Sequence, residues 1–213
     1  PFSFSLCKNY KRSSEISYFV SGMILKLQGI IPEDKEVMNM ELKDSITKEN
    51  LMRAFAGESQ ARNRYTIAAS QAHREHMAAL EAVFLFTANQ EREHAEIFYK
   101  HLSPLAQHNI SIDGNYPVDI SGDIAQLLRF AEKNEMEEHD DVYRAFEKKA
   151  REEGFQDIAG SFHMIGEIEK IHGERFGMLA ELLEEKKLFV SEVETSWICL
   201  KCGHVYTGLQ VPE

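Results

Sequence analysis

Cysteine is scarce in this chain of 213 residues: there are 3, Cys7, Cys199 and Cys202. A sparse, odd count does not make a secreted disulfide framework. Basic residues are also in short supply, with 24 lysines and arginines against 35 acidic residues and a formal charge of -11. A general nucleic-acid binder needs a basic face for phosphate, so the composition argues against that class. No run of about 18 uncharged apolar residues exists, which argues against a membrane span. Apolar residues still make up 43% of the chain, enough to bury the core of one sizeable domain with an appendage.

The chain opens at Pro1 rather than Met and stops at Pro212-Glu213, so it reads as a piece of a longer product. Residues 1–43 show no clear amphipathic period. Their "KNYKRSSEISYFVSGMILKLQG" sets a basic patch before a modest apolar run, loosely like a targeting segment. Lys26 interrupts that run, and no small-residue cleavage pattern follows. The expectation is a disordered extension, or sequence upstream of a true start at Met38 or Met40. Scarce cysteine favours the cytoplasm, with an organellar address left open by the extension.

Residues 44–188 read as a helical bundle. Four segments carry apolar residues at three- and four-residue steps, as a core-facing helix requires. The first runs from about Thr47, a plausible N-cap, to Arg74, with Leu51, Phe55, Ala61, Tyr65, Ala68 and Ala72 inward. The second, Met77 to His101, turns Leu80, Phe84, Thr87, Phe98 and Leu102 inward. The third, Gly122 to Glu153, turns in Leu128, Ala131, Val142 and Phe146. The fourth, Phe155 to Lys187, turns in Ile158, Phe162, Ile165, Phe176 and Leu179. Between the second and third lies "SPLAQHNISIDGNYPVDISGD", too long for an up-down turn and suited to a crossover along the bundle. The other joins, near His76 and Gly154, are short. Two hairpins linked by one long crossover is the ferritin-like arrangement, and the fold class is all-α.

An internal repeat sharpens this picture. "FLFTANQEREHAEIF" (84–98) matches "FHMIGEIEKIHGERF" (162–176) at a constant offset of 78. Phe84 and Phe162 each precede a glutamate by seven residues, Glu91 and Glu169. Each is followed three later by a histidine, His94 and His172, and four after that by Phe98 and Phe176. The partner helices echo it: Glu58 to Tyr65 is seven residues and Glu135 to Tyr143 is eight.

Residues three apart share a helix face, so Glu91 pairs with His94 and Glu169 with His172. Glu58 and Glu135 fall on the apolar stripes of the first and third helices. One carboxylate there is costly unless neutralised, and several together repel. Two metal ions among them would supply the missing charge, with carboxylates bridging and neutral imidazoles capping. One Glu from each of two helices and Glu-x-x-His from each of the other two is the general pattern of di-iron carboxylate bundles. Manganese or zinc suits the same ligands. Glu93, Glu96, Glu167 and Glu174 fall off the inward stripes and read as solvated surface.

With "AFAGESQARNRY" (54–65), "QEREHAEIF" (90–98), "AREEGF" (150–155) and "EIEKIHGERF" (167–176), the chain resembles the rubrerythrins over roughly residues 41–213. The resemblance implies two irons bridged by Glu91 and Glu169. Glu58 would be a terminal ligand of one iron; Glu135 and His172 would serve the other. It also implies a further acid one turn after Glu135, here Glu138 in "NEMEEHDD", exchanged for His94 at the first iron on reduction. Hard carboxylate suits ferric iron, and neutral imidazole suits the less charged ferrous ion. The neighbours Glu137, His139 and Asp140 are polar too, so a surface role for Glu138 stays open. Tyr65 and Tyr143 match tyrosines that hydrogen-bond ligand carboxylates.

Residues 189–213 hold "WICLKCGHVYTGLQVPE". Cys199-x-x-Cys202, with Trp197 before and Tyr206 after, resembles the first knuckle of a rubredoxin module. A tetrahedral thiolate iron site needs four cysteines. Cys7 is too remote to serve, so that site is incomplete in this chain. The resemblance implies a peroxidase that reduces hydrogen peroxide, fed with electrons by a rubredoxin or a reductase and acting as a homodimer. The rival readings are a ferritin-like iron oxidation and storage protein, and an oxygen-reducing or substrate-oxidising di-iron enzyme.

Overall fold

In a computed structural model, which describes residues 40–212, a 3-10 turn at Leu42–Asp44 leads into helix α1, Ile46–Arg74. The expectation for residues 1–43 lies outside the described residues except at its last positions, and Cys7 lies outside them too. The N-cap is Ser45 rather than Thr47: its hydroxyl accepts from the Lys48 amide at 3.0 Å. Thr47 sits inside the first turn, where the Glu153 carboxylate accepts from its amide (2.8 Å) and its hydroxyl (2.7 Å). Glu153 also accepts from the Ile46 amide (3.1 Å), so it does for two helix-start amides what a local cap does for one.

Helix α2 spans Ala78–His101, and His76 takes a left-handed φ of 60° in the join. The third predicted helix is real but not uniform. It comprises α3 (Ile124–Glu137), a π turn (Glu138–Val142) and α4 (Tyr143–Glu152). Asp123 caps its start, accepting from the Ala125 amide at 2.9 Å. Gly154, at φ 91°, makes the turn into α5, Gln156–Glu184. The inward residues follow the predicted stripes; Phe55, Val142, Phe146 and Leu179 reach only partial burial at the margins.

The crossover is an extended strap along α1. Asp113 pairs with Arg53 (2.6 Å), Asp119 with Arg64 (2.5 Å), and the Gly122 carbonyl accepts from Gln71 (2.9 Å). From Arg53 to Gln71 is about 27 Å of helix at 1.5 Å per residue. The strap therefore carries the chain from one end of the bundle to the other, as the ferritin-like reading required.

The core falls into two clusters, and its aromatics obey the sequence repeat. In one, Phe84 stacks on Phe176 (5.3 Å between centroids) beside Tyr65. In the other, Phe162 stacks on Phe98 (5.1 Å) beside Tyr143. Exchanging the two hairpins turns each cluster into the other. Each Glu-x-x-His lies between the two aromatic layers, seven residues in from either phenylalanine of its own helix.

After the bundle, β1 (Val190–Ile198) and β2 (Val205–Gln210) form an antiparallel hairpin with Trp197 opposite Tyr206. The Trp197 indole donates to the Gly208 carbonyl at 3.0 Å. This small sheet fits a rubredoxin-like knuckle. No helix among the described residues is long and apolar enough to cross a membrane.

Candidate metal centre

Between the aromatic layers lie the six predicted residues. Glu58, Glu91, Glu135, Glu169 and His172 are each 1% exposed or less, and His94 is 6% exposed. They come from α1, α2, α3 and α5, one glutamate per helix. The close approach of α3 to α5 has a local cause. A Cβ at Gly173 would lie 3.3 Å from the Glu135 Cβ, so glycine there lets the two helices meet.

Two overlapping groups result, each with its ligand atoms within 4.8 Å of one another: Glu58, Glu91, His94 and Glu169, and Glu91, Glu135, Glu169 and His172. Glu91 and Glu169 belong to both. His94 Nδ1 is 2.9 Å from Glu169 Oε1 and 3.1 Å from Glu91 Oε2. His172 Nδ1 is 2.8 Å from Glu169 Oε2 and 3.1 Å from Glu91 Oε1. The two imidazoles face each other with centroids 5.7 Å apart and planes 17° from parallel. The tyrosines cross between halves: Tyr65 donates to Glu135, and Tyr143 donates to Glu58.

Electrostatics mark this cluster as unfinished. Burial, with the charge of Glu91 added, raises Glu58 to about 7 against the pull of His94. Burial and the neighbouring glutamates push Glu169 well above the carboxylate range. Burial opposes the charged form of His172, yet Glu135, Glu169 and Glu91 raise it to about 11. His94 is raised for the same reason, by Glu169, Glu58 and Glu91. Glu58 Oε2, Glu91 Oε1, Glu135 Oε2 and both Glu169 oxygens are buried without a hydrogen-bond donor. Buried polar atoms in that number need partners. A set of four carboxylates and two imidazoles around two overlapping points fits a pair of first-row metal ions.

Glu138 stands apart. It begins the π turn and is in neither four-residue group. Burial raises its carboxyl well above the usual range, and the charges of Glu58, Glu135, Glu169 and Glu91 add to the effect. It lines a cavity of about 490 Å³ bounded by α1, the strap, α3 and Tyr143. His94 is inside the first group and Glu138 is outside it. Its neighbours Glu137 and Asp140 are exposed, but His139 is buried against α5, bonded to Asp140 (2.8 Å) and 3.4 Å from Glu167.

Sequence reasoning missed the supports around the site. Asn134 is buried next to Glu135 and donates to Asp119 at 2.6 Å, and Asp119 also holds Arg64. Arg175 donates to Thr87 (3.0 Å) and Gln90 (3.3 Å), tying α5 to α2 beside the histidines. Asn134 and Arg175 do directly precede or closely follow ligand positions, and that adjacency was the available signal.

The sequence profile of rubrerythrin matches residues 49–180. Rubrerythrin-1 of Clostridium acetobutylicum is 42% identical over 81% of this chain and 89% of its own length. The chain belongs to the rubrerythrin family. The rubrerythrin of Porphyromonas gingivalis is 41% identical over 84% of this chain and 88% of its own. Among solved structures, fully reduced, all-ferrous nigerythrin is 25% identical and covers 86% of this chain and 91% of its own, with a TM-score of 0.58. The family and the donor set together support a ferritin-like di-iron bundle.

Cys199 and Cys202 are exposed at the tip of the hairpin. The Cys199 amide donates to the His204 carbonyl (2.8 Å), and the Gly203 amide donates back to Cys199 (2.8 Å). The backbone amides of Cys202 and Lys201 lower the Cys199 thiol. Among the described residues no further ligand joins these two in a metal-binding group.

Proposed function

We propose that this rubrerythrin-family protein reduces hydrogen peroxide to water. The observation that carries the reading is the pair of glutamates, Glu91 and Glu169, shared by two otherwise equivalent ligand groups, with a third kind of acid, Glu138, waiting beside one of them. With a pair of ferrous ions bound, the site would supply the two electrons that, with two protons, convert one hydrogen peroxide to two waters. Glu58 and His94 would hold the first ion, and Glu135 and His172 the second.

The chain's own residues do the rest. Tyr143 and Tyr65 fix the carboxylates of Glu58 and Glu135 so that their free oxygens face inward. The stacked phenylalanines above and below exclude bulk water, which strengthens every charge interaction between them. Glu138 would carry protons from the cavity to the site, and it and His94 would both be available to hold the first ion. Cys199 and Cys202 at the hairpin tip would supply two thiolates to a further iron, whose chemistry would be electron relay. The donor is a rubredoxin or a reductase, and the working unit is a cytoplasmic homodimer.

The Glu138 carboxyl and the cysteine hairpin favour this over ferritin-like iron storage, which needs neither. Anaerobic stopped-flow absorbance of reduced, iron-loaded protein decides between them. Rapid oxidation by hydrogen peroxide, two electrons per peroxide, with slower oxidation by oxygen, is the expected result. Faster reaction with oxygen, with iron leaving the site for a growing mineral, overturns it.

A further inference from the structure

Arg175 of α5 stands one turn past His172 and donates to Thr87 (3.0 Å) and Gln90 (3.3 Å) of α2. At the repeat offset of 78, the counterparts of Arg175, Thr87 and Gln90 are Ile97, Ile165 and Ile168. A polar clasp at one end of the α2–α5 seam is thus replaced, position for position, by three isoleucines at the other. Packing alone does not call for the clasp, since isoleucines fill the same positions where it is absent.

The clasp belongs to one end of the metal centre. Arg175 is one turn from His172 on its own helix, and Thr87 is one turn from Glu91 on the other. Both lie toward the Phe84–Phe176 layer, where Tyr65 donates to Glu135. The clasp therefore stands at the Glu135–His172 end. The isoleucines stand at the Glu58–His94 end, toward the Phe98–Phe162 layer.

The Arg175 charge is not neutralised by its partners. Both of its hydrogen-bond acceptors are uncharged, and its Nε is buried without an acceptor. Its guanidinium lies 5.4 Å from the centroid of the Phe86 ring, and Thr87 is fully buried, so the fork is held in place. Four carboxylates balance two ferrous ions, whereas two ferric ions leave the site two charges in excess. A fixed cation one turn away opposes that excess, and most strongly at the nearer end.

We propose that Arg175 makes the two ends of the metal centre electrically unequal, holding the ion at the Glu135–His172 end ferrous more firmly than its neighbour, so that this ion is reduced first and oxidised last. The step concerned is transfer of one electron from the donor to a ferric ion, which becomes ferrous with no bond made or broken. Arg175 acts as a positioning residue, through its field, with its hydrogen bonds going to Thr87 and Gln90 rather than to a ligand. The inference rests on the two-iron reading of the site and not on peroxide as the oxidant.

The test is a spectroscopic redox titration of the full chain loaded with iron, which follows the two one-electron steps without turnover. Arg175→Met removes the charge and keeps the length. Arg175→Lys keeps the charge and loses the fork. Ile97→Lys places a charge at the opposite end, at a position already 39% exposed. In Arg175→Met the ratio of ferrous to ferric ion at the nearer end should fall about tenfold at a given potential, the order expected for a unit charge roughly 10 Å away. That lowers the higher of the two potentials by about 59 mV, with a smaller shift in the lower one. Arg175→Lys should stay close to the unmodified chain. Ile97→Lys should raise the lower potential instead, and it decides by itself if Arg175→Met takes up less iron. The half-reduced form, read by EPR, should become scarcer in both Arg175→Met and Ile97→Lys. At two irons per chain, equal shifts in Arg175→Met and Arg175→Lys would mean that the clasp acts by structure alone, and the proposal fails. It fails as well if both potentials move together in Arg175→Met, or if the lower potential stays in place in Ile97→Lys. If the potentials move as expected and no form reduces hydrogen peroxide, the electrical inequality stands and the peroxidase reading falls.

Discussion

The two halves of the bundle are nearly interchangeable. Glu58, Tyr65, Phe84, Glu91, His94 and Phe98 have their counterparts in Glu135, Tyr143, Phe162, Glu169, His172 and Phe176, in sequence and in packing. Among the acids on these faces they part at one place. Three residues past Glu58 is Ala61, 2% exposed in the core; three past Glu135 is Glu138. The π turn that begins there explains why Glu135 to Tyr143 is eight residues when Glu58 to Tyr65 is seven. One inserted residue keeps Tyr143 on its ligand while giving the chain room for an extra acid. π turns concentrate at functional sites for this kind of reason. The lesson is that the symmetric residues build two equivalent ligand groups, and the one extra acid marks where the surroundings of those groups differ.

The largest break in that comparison comes from a shared residue. Glu169→Ala removes a ligand from both groups, and Glu58→Ala removes one from a single group. Iron per chain by mass spectrometry should fall from about two to below about 0.5 in the first and to about one in the second. Equal losses in the two variants would mean that the groups are not independent in the way the shared carboxylates suggest.

A smaller effect should follow from erasing the asymmetry. Glu138→Ala makes the second half like the first. Iron content should stay near two, since Glu138 lies outside both groups, while oxidation by hydrogen peroxide should slow about a hundredfold, the scale of a lost acid-base group. Unchanged stopped-flow rates would return Glu138 to the surface role that its polar neighbours allow.

The smallest effect concerns what the halves do to each other without metal. Glu58 is raised to about 7, so between the ordinary carboxylate value and 7 the folded chain holds a proton that the unfolded chain has lost. Stability therefore falls as pH rises through that window. His172, raised to about 11, contributes stability that is full below the ordinary imidazole value and is lost on the way up to 11. Both act in one direction. Thermal melts of the metal-free protein should show Tm falling from pH 5 to pH 8, on the order of 4 °C. The metal-loaded protein, its site already deprotonated, should lack that slope. A rising Tm in the metal-free form would contradict the shared burial of these charges.

Much of this was legible in the residues. Helix stripes, the repeat and the Glu-x-x-His pairs are local periodic signals, and packing preserved them. The eight-residue spacing was visible, but its cause was not, because a 3.6-residue pattern averages over one inserted residue. His139 read only as a polar neighbour of Glu138 for the same reason: after the insertion it faces α5. The strap left the least trace. Asp113, Tyr116 and Asp119 have no period, and their partners Arg53, Arg64 and Asn134 are 15 to 63 residues away. Glu153 capping α1 across 106 residues belongs to the same class. Long-range polar contacts carry no signature in a window of sequence.

The shared carboxylates have a consequence for biosynthesis. Neither hairpin owns a complete set of donors: the first lacks Glu169 and the second lacks Glu91. A ribosome that has released only α1 and α2 has therefore made an open set of three donors, Glu58, Glu91 and His94, without the fourth. The centre comes into being when the second hairpin docks and the aromatic layers close over it. A half-made chain offers an ion only a partial, open set of donors, and the full set exists only in a molecule whose two hairpins have docked.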